Sequence, residues 1–151
     1  MKQATILCVD DDPRIRGLYE GLLGSHGYKV HVASSGRQAL KLFHSHEEEI
    51  DAVILDYEMP KMNGVELAAE LKRCDATLPV IMISGYDLPS DLTPFVDAFM
   101  AKGASVEKIL ACVQAVLAAP PVEVASSEYV PLGSALLGVA MASLVLGRFW
   151  R

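Results

Sequence analysis

The sequence predicts an α/β domain, a doubly wound parallel β-sheet with helices on both faces, followed by a linker and an apolar segment. Three observations carry that expectation. Short apolar runs alternate with amphipathic stretches through residues 1–118, and strands alternating with helices build parallel sheets covered on both sides. Two of the runs, ATILCV and AVILD, barely alternate between apolar and polar residues, as central strands buried on both faces should. Capping and turn residues stand at several of the boundaries between the two kinds of segment.

Ala4–Val9 is the first strand, short and rich in Val, Ile and Leu. Asp12-Pro13 then opens a helix over Pro13–Ser25. Asp12 is its N-cap and Pro13 its first helical residue, where a missing N–H costs little. Leu18, Leu22 and Leu23 recur on this helix at the spacing of a buried stripe. Gly27 follows the helix end, and Gly36 and Gly64 are expected in turns where positive φ is tolerated. Tyr28–Ala33 is the second strand and Arg37–His44 the second helix. Ala52–Leu55 is the third strand, closed by Asp56, and Val65–Cys74 the third helix, with Leu67, Ala68 and Leu71 on one face. Val80–Ser84 is the fourth strand. Pro89 and Pro94 confine any helix after it to a turn or two around Pro89–Val96. Ala98–Ala101 and Ser105–Leu117 complete the alternation as the fifth strand and last helix.

A chain of 151 residues holds one compact domain and an appendage. Its 13 Lys and Arg against 19 Asp and Glu, a net charge of −6, argue against a nucleic-acid binder, which presents a basic face. Residues 1–118 hold 11 basic and 17 acidic side chains and therefore the whole of that charge. Cys8, Cys74 and Cys112 are odd in number and form no C-x-x-C pair. They read as reduced thiols in a cytoplasmic protein, not as a disulfide framework or zinc site. The N-terminus, MKQATILCVDDD, meets three acids after a short apolar run and lacks the long apolar region of a secretory signal.

In a doubly wound sheet, ligands bind outside the carboxyl ends of the strands. Here Asp10, Asp11 and Asp12 follow the first strand, Asp56 closes the third, Ser84 closes the fourth, and Lys102 follows the fifth. If the first and third strands are neighbours, Asp10, Asp11 and Asp56 converge. Carboxylates that close raise one another's pKa unless a cation neutralises them. An all-oxygen set of high charge in a partly open site suits Mg²⁺. Lys102 and Ser84 then offer a bound phosphoryl group a positive charge and a hydroxyl donor. Asp12 reads as a helix cap and not a ligand, and any one strand-end Asp is compatible with a turn role. The joint pattern is what points to a site.

These residues resemble the response-regulator receiver domains of two-component signalling. ILCVDDDP over Ile6–Pro13 looks like the family's first-strand acidic motif, and DAVILDYEMPKMNG over Asp51–Gly64 like its phosphoacceptor strand and loop. VIMISG over Val80–Gly85 looks like the fourth strand with its hydroxyl, and DAFMAK over Asp97–Lys102 like the fifth strand with its aromatic and lysine. The resemblance covers about residues 3–118. It implies a flavodoxin-like fold of strand order 2-1-3-4-5, with the fourth helix shortened here. It also implies phosphorylation of Asp56 by a histidine kinase or phosphotransfer protein. Asp11 would ligate Mg²⁺ directly, Asp10 mainly through water, and Asp56 and the backbone carbonyl of Glu58 would complete the protein ligands. Ser84 and Lys102 would contact phosphoryl oxygens, Phe99 would be the switch aromatic, and Glu58 and Tyr86 would flank the site where hydrolysis is tuned. Catalysis would go no further than self-phosphorylation and autodephosphorylation, with no separate enzymatic domain.

The chain departs from the family in three places. Gly103 follows Lys102 where the family usually has Pro. A cis bond there costs about 2.5–4 kcal/mol for a non-proline residue, so a trans peptide is expected. The segment between Ser84 and Lys102 is short and holds two prolines, which points to an output surface unlike the usual one. Tyr57 stands where an aliphatic residue is usual. Elsewhere, His44 and His46 lie beside Glu47, Glu48 and Glu49 and read as a solvated patch in preference to a metal site. His26 and His31 read as structural or exposed, and Met59 and Met62 as packing residues.

APPVEVASSEYVP reads as a linker over residues 119–131. Val130–Gly147 then runs eighteen residues without a charge, which meets the window criterion for a membrane span. Ser134, Gly138 and Ala142 recur every four residues, the small-residue stripe of closely packed membrane helices. Arg148 and Arg151 at the far end oppose the positive-inside preference. Three readings of this apolar helix (132–148) stand: a C-terminal anchor tethering the domain at the inner face of the cytoplasmic membrane, a helix buried in an oligomer or on a partner, or an interfacial helix.

The sequence therefore predicts a stand-alone receiver that is phosphorylated on Asp56 with Mg²⁺ and acts through a downstream protein. Its rival is a phosphorylation-independent interaction module of the same fold, tethered by its C-terminal helix. A metal-dependent phosphatase finds no second D-x-D motif or general acid in the chain.

Overall fold

The computed structural model describes residues 2–87 and 94–120. Five strands alternate with four helices: β1 (Thr5–Val9), α1 (Pro13–Ser25), β2 (Lys29–Ala33), α2 (Gly36–Ser45), β3 (Ile50–Asp56), α3 (Gly64–Cys74), β4 (Val80–Ser84), β5 (Ala98–Ala101) and α4 (Val106–Ala118). The strands form one sheet in the order β2-β1-β3-β4-β5, and every pairing is parallel. This is the flavodoxin-like α/β arrangement. β1 and β4 are buried at every position, the physical reason their sequences do not alternate.

Successive side chains on a strand point to opposite faces, so the sheet divides two apolar cores. Leu7, Val9, Leu55 and Met82 face Phe43 of α2 and Leu67 and Leu71 of α3. Ile6, Cys8, Ile54 and Ile83 face Tyr19 and Leu23 of α1 and Ile109 and Val113 of α4. Cys8 is wholly enclosed, and burial pushes its thiol pKa well above the ordinary range, so it is an inert apolar filler at neutral pH.

Caps set the helix starts. Asp12 accepts the Arg14 N–H at 2.9 Å, and Ser35 accepts from Gln38 at 3.2 Å. Asn63 and Glu66 exchange a reciprocal capping box over α3. Ser105 caps α4.

Three expectations need correction. Leu18 is 55% exposed; the stripe of α1 turns by a residue, and Tyr19 and Leu23 are buried with Ile15 and Leu22 packed beside them. Gly36 and Gly64 are the first residues of α2 and α3, not positive-φ turn residues. Their need is space: a Cβ on Gly36 would lie 2.6 Å from Met62 Sδ, and one on Gly64 would strike the Asp56 carbonyl oxygen and come within 2.7 Å of Met82 Sδ. β3 is also longer than Ala52–Leu55, because Ile50 already pairs with Thr5 and Asp56 with Ile83. Gly27 and Gly103 do take positive φ, +87° and +85°. The Lys102–Gly103 peptide is trans, as glycine in place of proline predicts.

Most of the short helix expected around Pro89–Val96, and everything after Pro120, including the apolar segment, lies outside the described residues. Among the described residues no helix is long and apolar enough to cross a membrane.

Candidate functional site

The sheet order makes β1 and β3 neighbours, so the residues that end them meet. Carboxylate oxygens of Asp10, Asp11 and Asp56 lie within 4.8 Å of one another. Asp10 and Asp56 are buried and Asp11 is exposed, which leaves one side of the cluster open to solvent.

Each position is held by the backbone around it. Asp10 Oδ1 accepts the Asp12 N–H at 2.8 Å, and the Arg16 guanidinium donates to the Asp10 carbonyl at 2.7 Å. The Asp10 N–H reaches across to the Ala33 carbonyl at 3.2 Å. Asp56 is locked by the register of β3 against β4, extended by the Tyr57 N–H bond to the Ile83 carbonyl at 2.8 Å. Its Oδ1 accepts the Glu58 N–H at 3.2 Å. Lys102 follows β5, its N–H bonded to the Ser84 carbonyl at 2.7 Å, and its Nζ stands 3.0 Å from Asp56 Oδ2. Ser84 is buried, and its Oγ accepts the Tyr86 N–H at 3.0 Å.

The charges act on one another. Burial raises the Asp10 pKa and the Asp56 and Asp11 charges add to it, while the Asp12 N–H and Lys102 oppose it. For Lys102, burial alone would lower the pKa, but the hydrogen bond and charge of Asp56, with Asp10 and Asp11 behind it, outweigh burial and raise it. The lysine is therefore held as a cation against an acidic cluster carrying more charge than it offsets. Such a donor set fits a hard dication: all oxygen, excess negative charge, one side open.

A pH test follows for the metal-free protein. An acid whose pKa is raised by folding holds its proton longer in the native state, so its stability contribution declines as pH rises from the ordinary Asp value through the raised one. Asp10→Asn should lack that decline. The stability gap in favour of the variant is expected to widen with rising pH in urea titrations and to shrink when Mg²⁺ is added. A gap independent of pH would contradict the electrostatic account.

Of the remaining expected residues, Asp12 stands apart as a cap: its hydrogen bonds to the Arg14 side chain and backbone hold its carboxyl at about 2. Phe99 lies on β5 opposite Met82 and is 43% exposed. Tyr86 is exposed. Arg16 had no sequence signal, since a residue six positions after an Asp marks nothing by itself. Asp97 was read only as part of a motif. Its Oδ2 accepts both Lys72 Nζ at 2.8 Å and the Val80 N–H at 2.7 Å, tying α3 and the start of β4 to the start of β5.

The family model described as response regulator receiver domain matches residues 6–114. The chain belongs to that family. The response regulator MprA of Mycolicibacterium vanbaalenii is 34% identical to the receiver over 116 residues, covering 74% of this chain and 49% of that one. The probable transcriptional regulator ycf27 of Guillardia theta is 37% identical over 116 residues, covering 74% of this chain and 44% of that one. The chain thus spans about half the length of these curated relatives. Among solved structures, the response regulator TrrA of Thermotoga maritima, in complex with Mg²⁺–BeF, matches with a TM-score of 0.70 and 31% identity, over 76% of this chain and 99% of that one. The chemotaxis protein CheY4 of Vibrio cholerae matches with a TM-score of 0.71 and 26% identity, over 76% and 99%.

Proposed function

We propose that this receiver accepts a phosphoryl group on Asp56 from a histidine kinase or phosphotransfer protein, with Mg²⁺ at the acidic cluster, and signals by binding another protein. The observation that carries the reading is the Asp56 carboxylate, buried at a strand end, bonded to Lys102 at 3.0 Å and flanked by Asp10 and Asp11. The complex of TrrA with Mg²⁺–BeF supports the metal.

In the transfer, an Asp56 carboxylate oxygen bonds to phosphorus while the P–N bond of the donor phosphohistidine breaks. Its electron pair stays on the imidazole nitrogen, and an acyl phosphate forms on Asp56. Lys102 Nζ, already beside the carboxylate, offsets the charge of the incoming oxygens. Ser84 Oγ accepts from Tyr86, which leaves its own hydroxyl hydrogen free to donate to a phosphoryl oxygen. Asp10, Asp11, Asp56 and the Glu58 carbonyl would hold Mg²⁺, which when bound neutralises negative charge between carboxylates and phosphate. The Glu58 backbone stands next to Asp56 through its N–H bond. Phe99, part-exposed on the edge strand β5, is the residue whose burial would report the phosphorylated state. Incubation with acetyl phosphate and Mg²⁺ should give an acid-stable, alkali-labile adduct. Persistent absence of the adduct would overturn the reading.

We further propose the division into a receiver (1–118), a linker (119–131) and an apolar helix (132–148) that tethers the receiver to the inner face of the cytoplasmic membrane, on the strength of the charge-free Val130–Gly147 run. Full-length chain is expected in the membrane fraction, and a truncation after Pro120 in the supernatant. A full-length chain that stays wholly soluble and monomeric would exclude the tether.

A further inference from the structure

His31 lies on β2, an edge strand, opposite Leu7 of β1. It therefore shares Leu7's face of the sheet, the one covered by α2. His46 is the C-cap of α2. The two rings pack with centroids 4.5 Å apart and planes tilted by 40°. His46 Nδ1 stands 3.0 Å from the Leu42 carbonyl. A carbonyl oxygen only accepts, so that nitrogen carries a hydrogen and the neutral ring keeps its lone pair on Nε2. His31 Nε2 is buried and has no hydrogen-bond partner, the one such side-chain atom among the described residues. The charged groups facing the pair are Lys29 on β2 and Glu49 before β3, bonded to each other at 2.8 Å.

We propose that the His31–His46 stack is a proton-sensitive clasp that holds the C-terminal end of α2 on the edge of the sheet while neutral and releases it when both rings charge. Two neutral imidazoles stack as aromatic rings do. Two imidazolium ions at this separation repel, and a charged His31 would carry a buried N–H without an acceptor. Burial lowers the His31 pKa, with His46 and Lys29 adding to the effect and Glu49 opposing it. The clasp's contribution is therefore complete above the ordinary His value of about 6.5 and is lost as pH falls through the lowered one. The consequence reaches further than the edge. Gly36, at the opposite end of α2, abuts Met62 of the loop that follows Asp56, so a loosened α2 relaxes its grip on that loop. Nothing in the clasp depends on phosphorylation.

The test is a ring-proton NMR titration of the full chain from about pH 8 to about pH 5, with His31→Gln and His46→Gln alongside. The His31 midpoint should lie below the ordinary His value of about 6.5 and should rise when His46 is replaced. Amide exchange at the end of α2 and along β2, corrected for intrinsic rates, should become several-fold faster at the acid end in the unsubstituted chain and change less in either variant. If a variant does not fold, the unsubstituted chain alone decides. A His31 midpoint at or above that ordinary value, or exchange on α2 that tracks the sheet centre at all pH values, would overturn the clasp.

Discussion

Asp56→Asn is expected to take up no phosphoryl group from acetyl phosphate in Mg²⁺, under conditions that label the unsubstituted receiver to a measurable fraction. The amide has the shape of the carboxylate and keeps an oxygen for the Glu58 N–H, but it has no anionic oxygen to attack phosphorus. The variant should stay folded, because it removes one of three mutually repelling carboxylates while weakening a single pairing with Lys102. Far-ultraviolet circular dichroism and a urea transition establish that it has folded, and intact-mass analysis reads the label. Folded Asp56→Asn that still gains a phosphoryl mass would move the acceptor elsewhere. Lys102→Met is the companion: it spares the nucleophile but removes the cation 3.0 Å away, so slower labelling is expected, and full-rate labelling would show that Lys102 plays no part.

The second large effect concerns a glycine that touches no substrate. Gly64→Ala is expected to destabilise by about 1–3 kcal/mol, the usual cost of overfilling a packed interior, against a helix-propensity gain of at most ~1 kcal/mol. The new methyl would meet the Asp56 carbonyl oxygen, Tyr57 Cα at 3.0 Å and Met82 Sδ at 2.7 Å. Two of these are backbone atoms of Asp56 and Tyr57 and cannot turn away. Gly36→Ala is the control, for its neighbours are the side-chain atoms of Met62, a flexible group able to choose another rotamer. Gly64→Ala should therefore lose more in urea denaturation than Gly36→Ala and also label more slowly, since accommodating the methyl shifts the backbone that aims Asp56. Equal losses for the two would mean that the close approach at Gly64 carries no special cost.

The outline of the fold was legible because its signals are local. The bounds of α1, β4 and β5 matched, and Asp12-Pro13 announced the start of α1 without help from the rest of the chain. The acidic cluster was legible too, since strand ends in a parallel sheet are forced to one side. What escaped was set by contacts distant in sequence. Leu18 and Tyr19 both fit a helical stripe, and only the placement of α1 against β1 and β2 decides which is buried. Gly36 and Gly64 looked like turn residues because a lone glycine signals freedom of φ more plainly than absence of a Cβ. His31 reads from sequence as structural or exposed, and His46 separately as part of a solvated patch. Nothing short of the α2–β2 packing shows that they touch.

The parallel direction of all five strands gives the domain two unlike poles. Asp56 and its neighbours occupy one. The other is where the described chain leaves off: Ala119 borders a shallow groove of about 390 Å³ with Ala4, Asp51 and Pro79, residues at or near the starting ends of β1, β3 and β4. Five residues of strand, about 17 Å, separate the two. Asp11, the exposed member of the acidic cluster, therefore opens to solvent at the end of the strands far from Ala119.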